Sequence, residues 1–280
     1  VYKRQGAGIL MPIFSLPSPY GIGTFGSSAY EFIDLLRQAR QNYWQVLPMG
    51  PTSYGDSPYQ SFSAFAGNPY FIDLDMLKEE ELLTQEEIDA CFWLDKQEEV
   101  KYDAVFYYRF PLLKKAYTRS LHKTTEAYRQ FCEKNQFWLP DYSLYMALKK
   151  HFGDDEWLAW EEDARFRKPE AMEKYKTELK EEIDYWKFLQ YKFFEQWEKL
   201  KKYASDNDVK IVGDIPIYVA LDSADVWSHP ELFQLDEEGL IPLKVAGVPP
   251  DAFSDEGQLW GNPLYNWDKM EITGFAWWKE

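Results

Sequence analysis

Apolar positions along the chain fall into three short runs separated by long amphipathic stretches. The runs are Ala7–Ile13 (A-G-I-L-M-P-I), Asn42–Pro48 (N-Y-W-Q-V-L-P) and Val209–Val219 (V-K-I-V-G-D-I-P-I-Y-V). Each is rich in β-branched or aromatic residues and is bounded by Gly, Pro, Asn or Asp, a pattern that predicts buried β-strands. Between the first two, Phe32, Ile33, Leu35, Leu36 and Ala39 recur at helical spacing. Ser28-Ala-Tyr-Glu31 predicts a capping box opening that helix, which runs to about Arg40. Strand, helix and strand in this order predict a right-handed βαβ unit with parallel strands.

From Lys78 to Asp208 the chain is charged, with Glu–Lys pairs at short spacing. Helices are predicted over 84–91, 103–123, 124–135, 140–152, 154–163, 169–175 and 177–206. In the last, Tyr185, Phe188, Leu189, Phe193, Trp197, Leu200 and Tyr203 define an apolar face, with Lys192 a polar gap in it. The expected class is therefore α/β, with a large helical insertion between the second and third strands. The chain divides into 1–77, with two strands and loops, 78–208, the helical insertion, and 209–280, with the third strand, a hairpin and a lid-like loop. The hairpin is predicted over His229–Leu240, turning at Asp236–Gly239. The segment 245–265 has the makeup of a mobile lid: Pro249-Pro250 stiffen it, glycines at 247, 257 and 261 let it bend, and Phe253, Trp260, Asp251, Asp255 and Glu256 decorate it. Its acidic residues lack calcium-loop spacing, so no metal is assigned.

The apolar fraction of 45% supports a sizeable core, and aromatic residues reach 18%, with 12 Trp and 20 Tyr. Such rings serve either a heavily aromatic core or stacking against the C–H face of a sugar, and composition leaves both open. The net charge of −16 and pI near 4.7 repel phosphate backbones and argue against a nucleic-acid partner. Cys91 and Cys132 match no metal or redox spacing and suit a reducing compartment, which makes a cytoplasmic location the expectation. His122, His151 and His229 show no ligand spacing. No run has the apolar length of a membrane span, and the N-terminus lacks the apolar region of a signal peptide. Residues 1–5 fit no element, and both ends, Val1 and Trp277-Trp278-Lys279-Glu280, are expected to be cut rather than natural termini.

Two stretches carry candidate chemistry. Asp214 breaks the third apolar run near the C-terminal end of the predicted strand, where α/β barrels place reacting groups; the alternative is that it satisfies backbone donors in a tight turn beside Gly213. The segment from Met49 to Tyr70 is a long loop holding Tyr54, Ser57, Tyr59, Phe62 and Phe65. Hydroxyls beside rings suit a polyol, although such a loop can also pack its rings on itself. A third stretch, G-I-G-T-F-G at 21–26, has glycines that could cradle a dinucleotide. A Pro-rich spacer separates it from the first strand and no acidic strand end follows about 20 residues on, so that reading is set aside.

The strings S-L-P-S-P-Y-G-I-G-T-F-G at 15–26, S-Y-G-D-S-P-Y-Q-S-F-S-A-F-A-G-N-P at 53–69, G-D-I-P-I-Y-V at 213–219, and G-V-P-P-D-A-F-S with G-Q-L-W-G-N-P-L-Y at 247–265 closely resemble the 4-α-glucanotransferases, also called amylomaltases. The resemblance runs in order from about residue 6 to 280. It implies a (β/α)₈ barrel with helical insertions, no cofactor, and retaining transfer of α-1,4-glucan segments between malto-oligosaccharides, with glucose as an acceptor. It also implies roles: Asp214 hydrogen-bonding the sugar beside the cut bond, Tyr59 lining the donor side, Asp251 and Trp260 in the loop over the bound chain, and Tyr54 at a secondary glucan site; Ser57 is a candidate substrate contact by its hydroxyl beside the loop rings. The family's R-x-D nucleophile motif and its later acid/base Glu do not occur in these residues. The expectation is thus the N-terminal part of a (β/α)₈ barrel, three strands of it, inactive as an isolated chain. The alternatives are an α-amylase-type hydrolase and a non-catalytic α-glucan-binding protein.

Overall fold

The structure, a computed structural model, describes residues 5–52, 55–93 and 99–280. In chain order the strands are β1 (Gly8–Leu10), β2 (Tyr43–Gln45), β3 (Lys210–Val212), β4 (Val245–Val248) and β5 (Gln258–Pro263). The helices are α1 (Ser27–Gln38), α2 (Leu74–Glu79), α3 (Gln85–Asp89), α4 (Tyr102–Arg119), α5 (Glu126–Lys134), α6 (Leu139–His151), α7 (Glu162–Arg165), α8 (Pro169–Glu178), α9 (Lys180–Asp206), α10 (Ala224–Ser228), α11 (Trp267–Ile272) and α12 (Ala276–Lys279). The fold is mixed α/β, and among the described residues no helix is long and apolar enough to cross a membrane. The chain forms two compact units, one of residues 1–51, 67–136 and 185–215, the other of residues 52–66, 137–184 and 216–280.

The first unit contains a parallel sheet in the order β1-β2-β3, with Ile9 opposite Trp44 and Trp44 opposite Ile211. All three strands lie where the apolar runs predict them, but each is shorter than its run. Proline explains much of this: Pro12, Pro48 and Pro216 carry no N–H to continue a ladder. The expectation that β1 and β3 are buried is corrected. Leu10 is half-exposed and Val212 is exposed, while Trp44 in the central strand is buried. A parallel strand is buried when both its faces and both its neighbours are covered, and β1 and β3 are the outer strands of this sheet.

Helix α9 supplies the unit's spine, burying Phe188, Leu189, Phe193, Trp197 and Leu200. It starts at Lys180, after a break at Leu179 that the apolar periodicity does not reveal. Lys192, the expected polar gap, is itself buried, its ammonium held between Glu80 and Glu195. Two glutamines on the same helix, Gln190 and Gln196, are fully buried and each pairs with both backbone groups of one residue, as a neighbouring strand would. Gln190 accepts from Gly67 N–H (2.7 Å) and donates to Gly67 O (2.9 Å). Gln196 does the same to Asp73 (2.7 and 3.2 Å). The approach needs a glycine at 67, because a Cβ there would sit 2.2 Å from the Phe193 ring.

The predicted capping box at Ser28 does not form. Helix α1 begins at Ser27 with Gly26 as its N-cap and no side-chain cap. Entry is set instead from a distance: Thr24 donates to the buried carboxylate of Asp73 (2.6 Å), and a Cβ on Gly26 would meet that carboxylate at 2.1 Å. The helix ends at Gln38, and Arg40 turns through a left-handed conformation with φ 56°.

In the second unit, the predicted helix over 154–163 is replaced by a 3₁₀ turn at Trp157–Ala159 and the short α7. The indole N–H groups explain this: Trp157 donates to Leu221 O (2.7 Å) and Trp160 to Asp155 O (3.0 Å), which fixes the backbone in a non-helical path. The turn at Asp236–Gly239 is present, with the Asp236 carboxylate accepting from Gly239 and Ile241 N–H. The 245–265 segment, expected as a loop, is largely an antiparallel hairpin, β4 with β5.

Replacing Gln196 with leucine keeps the volume of the buried side chain but strands the N–H of Asp73, whose C=O, at the N-cap of α2, keeps the first bond of that helix. The expected loss is about 1–3 kcal/mol, read as a shift of the urea midpoint with unchanged slope. A loss under about 1 kcal/mol would show that the glutamine pairing is dispensable.

Candidate functional site

The second unit is built outward from the residues after β3. Asp222 is the anchor: its carboxylate accepts from Tyr145 OH (2.6 Å), Lys149 Nζ (2.6 Å) and Trp157 N–H (3.2 Å). Lys149 is buried on α6 and also donates to Asp155 O (3.2 Å), so the cation of this ion pair has a second acceptor. A buried pair survives desolvation only with such extra partners. One residue on, Ser223 caps α10 by accepting from Val226 N–H.

Helix α10 in turn holds the loop that ends at Ala66. Ala224 N–H donates to Phe62 O (2.8 Å), and the buried Asp225 carboxylate accepts from Ala64 N–H (2.9 Å). Burial pushes the Asp225 carboxyl up to about 6; the Ala64 N–H and nearby His229 oppose that shift without overcoming it. With its base held, the loop makes a tight turn further out. Ser57 Oγ accepts from Tyr59 N–H (3.3 Å), Gln60 N–H donates to Ser57 O (3.1 Å), and the Tyr59 ring is left 45% exposed.

The β4–β5 hairpin carries the other exposed ring. Trp260 is 39% exposed, its indole N–H donates to Gln258 Oε1 (3.0 Å), and it lies 6.3 Å from the Tyr218 ring. Tyr218 stacks on the buried Tyr265 at 5.9 Å and 14°. The connection between the two strands is shaped from within. Asp251 Oδ1 accepts from Phe253 and Ser254 N–H (2.8 and 3.0 Å), and Ser254 Oγ donates to Gly257 O (2.7 Å). Gly257 has φ +76°, and a Cβ on it would meet Val248 O at 2.5 Å, so glycine is required there. Phe253 at the tip is 93% exposed.

The loop and the hairpin meet through amides. Gln60 Nε2 donates to Asn262 Oδ1 (3.0 Å) and reaches Trp260 O (3.5 Å), so the segments bearing Tyr59 and Trp260 are joined directly. Ser57 lies in the same turn as Tyr59. Asp251 is taken up by its own turn, its carboxylate capping the backbone of Phe253 and Ser254. Asp214 lies in the first unit, two residues beyond β3 at the C-terminal end of the parallel strands. Tyr54 lies outside the described residues. Among the described residues no group of three His, Cys, Asp or Glu side chains could hold a metal ion.

Exposed rings on joined segments, with hydroxyls beside them and neutral amides between them, suit a flat neutral polyol rather than an ion. Sequence patterns do not mark Gln60, Asn262, Asp222 or Asp225 as functional supports. The amides carry no periodicity that identifies them as buried or paired. The two aspartates stand in a stretch that reads from the sequence as a loop, where carboxylates are ordinary.

The family described as 4-alpha-glucanotransferase matches residues 11–280. A 4-alpha-glucanotransferase from Clostridium butyricum is 57% identical over 96% of this chain and 55% of its own length. One from Thermus thermophilus is 48% identical over 97% of this chain and 54% of its own length. Among solved structures, an amylomaltase from Streptococcus agalactiae in complex with acarbose superposes with a TM-score of 0.93 at 44% identity, over 98% of this chain and 56% of that one. The chain therefore spans about half the length of the curated relatives it matches.

The buried Asp225 gives a pH dependence whose sign is set by its direction. Its carboxyl holds a proton more tightly folded than unfolded, where the ordinary value is 3.8. It therefore subtracts stability progressively as pH rises from about 4 to about 6, by about 3 kcal/mol in all. Asp225→Asn retains an acceptor for Ala64 N–H and cannot ionise. Its stability relative to the wild type is expected to climb by about 2–3 kcal/mol between pH 4 and pH 7, measured by urea unfolding. Parallel pH profiles for the two proteins would contradict this assignment.

Proposed function

The chain belongs to the 4-alpha-glucanotransferase family, and on that premise we propose that the protein carrying it transfers α-1,4-glucan segments between malto-oligosaccharides with retention, using glucose or a glucan end as acceptor. The observation that carries this reading is the pair of exposed rings, Tyr59 and Trp260, borne on two segments that Gln60 fastens together. Sugar rings present flat C–H faces that stack on aromatic faces, and the hydroxyls of Ser57 and Tyr59 can exchange hydrogen bonds with a polyol. The three parallel strands are proposed as the first part of a (β/α)₈ barrel with the 78–208 helices inserted, which puts Asp214 at the end of the strands where barrel chemistry gathers.

Retaining transfer needs two carboxyls about 5–5.5 Å apart. An acid protonates the glycosidic oxygen, a carboxylate attacks the anomeric carbon with loss of the leaving glucan, and an acceptor hydroxyl then displaces the enzyme carboxylate while giving up its proton. The residues of this chain are assigned to holding substrate: Asp214 to hydrogen-bonding the sugar beside the cut bond, Ser57, Tyr59 and Trp260 to the walls, Tyr54 to a secondary glucan site, and the 247–260 hairpin, with Asp251 shaping its turn, to covering the chain. A covered site favours an acceptor sugar over water, which separates transfer from hydrolysis. The reacting carboxyls are assigned to motifs outside these 280 residues.

Two measurements test the reading. The full-length protein given maltotriose is expected to form longer glucans and glucose, followed by product chromatography; accumulation of new reducing ends alone would assign a hydrolase, and no turnover with retained binding would assign a binding protein. The 280-residue chain by itself is expected to quench its tryptophan fluorescence on adding maltoheptaose and to form no transfer products. Tyr59→Ala and Trp260→Ala are each expected to weaken that binding about tenfold, a loss of about 1.4 kcal/mol from one stacked ring. Unchanged affinity in both would remove the rings from the site.

A further inference from the structure

The amide contacts of Gln60 extend further than one bond and have a defined direction. Asn262 is 3% exposed and donates from Nδ2 to the main-chain oxygen of Val219 (2.8 Å), a residue 1% exposed. A main-chain carbonyl only accepts, so this bond fixes which end of the Asn262 amide is nitrogen. Oδ1 must then face Gln60 and accept from its Nε2 (3.0 Å), while the second Nδ2 hydrogen donates back to Gln60 Oε1 (3.4 Å). The two amides thus pair reciprocally, and Asn262 ties the pair to Val219. Three segments distant in sequence are held by it: the loop with Ser57 and Tyr59, the hairpin with Trp260, and the stretch after β3 with Tyr218.

The turn that bears Tyr59 closes on itself through Ser57, and Trp260 stands on β5, which is paired to β4. Each is held internally, so the spacing of their rings is set where the two meet, and Gln60 and Asn262 stand at that meeting point.

We propose that Gln60 and Asn262 are positioning residues that set the separation of the Tyr59 and Trp260 rings, and so determine how tightly a glucan chain is gripped. This rests on the glucan reading above. Neither residue needs to touch the substrate: the pair acts through the rings. A neutral amide pair suits the task because it holds its geometry across pH and places no charge beside a neutral ligand. Isosteric change breaks it by chemistry alone. Gln60→Glu keeps an acceptor for Asn262 Nδ2 but sets its second carboxylate oxygen against Asn262 Oδ1, and the Asn262 amide cannot turn to relieve this without losing Val219. Asn262→Asp presents a carboxylate to Val219 O.

The test compares Gln60→Glu and Asn262→Asp in the full-length protein, each assayed for maltotriose transfer, with circular dichroism checking the fold. Each change is expected to raise KM about tenfold with kcat within about twofold. If a carboxylate variant does not fold, Gln60→Asn, one methylene shorter with the same amide, is expected to raise KM in the same way. Unchanged KM or a loss confined to kcat would overturn the proposal. Its failure is separable from that of the glucan reading: a wild-type protein that neither binds nor converts maltotriose sinks the reading, whereas an active wild type with indifferent variants sinks only the clasp.

Discussion

The segment Gly67–Asp73, which makes a 3₁₀ turn at Pro69–Phe71, is where the first unit is fastened, and it is fastened by polar groups taken out of water. Burying a backbone N–H or C=O is tolerable only with a partner, so each such group in a core segment must be accounted for. Here most can be. Gly67 and Asp73 pair at both groups with Gln190 and Gln196 on α9. Asn68 N–H goes to Met49 O, which ties the segment to the residues beyond β2. Phe71 O accepts from Phe25 N–H ahead of α1, and Ile72 O accepts from Arg109 Nη1 on α4 (2.7 Å). Several parts of the unit thus converge on one short segment without a sheet. The price of this solution is shape: it leaves no room for a side chain at 67 and requires two long amides with no apolar substitute.

The second unit solves the same problem with charge. Asp222 and Asp225 are close in sequence, yet their environments differ in kind. Asp222 has a lysine ammonium and two further donors. Asp225 accepts from the Ala64 N–H in a mostly apolar, aromatic surround, which is why its carboxyl is driven up. Both hold backbone elsewhere: Asp222 fixes the turn at Trp157, Asp225 the loop at Ala64. A loop of this length keeps one shape only if some of its backbone is anchored away from its tip.

What was legible in the sequence was local. Three apolar runs marked the three parallel strands, and the Asp236–Gly239 turn, built on one carboxylate and its near neighbours, was where the residues indicated. The misses share a cause. Burial of β1 and β3 depends on what covers an outer strand, which its own residues do not encode. The Ser28 capping box was a sound local motif, overridden by Asp73 reaching Thr24 from 49 positions away. The β4–β5 hairpin was hidden because Pro249-Pro250 and three glycines look like a loop, whereas its pairing matches Val248 to Gln258 across the bend. Of the candidate site, the rings were legible by residue type. The amides that join their segments were not, since Gln and Asn at surface-like positions carry no periodic or spacing signal until partners 202 positions apart are brought together.

The placement of charge and amide in the second unit follows a physical logic. A carboxylate makes the stronger anchor, but it keeps a large appetite for donors. At Asp222 lysine, tyrosine and backbone meet that demand. Beside exposed rings it would be costly: a carboxylate there would draw water or ligand hydroxyls into competition with the bonds that hold the segments. An amide pair satisfies itself, with each partner both donor and acceptor, and leaves a neighbouring neutral ligand to be recognised by ring faces and hydroxyls. The proposed glucan, uncharged and many units long, is a ligand for which such a boundary matters, because the rings must keep one spacing while successive sugars pass through.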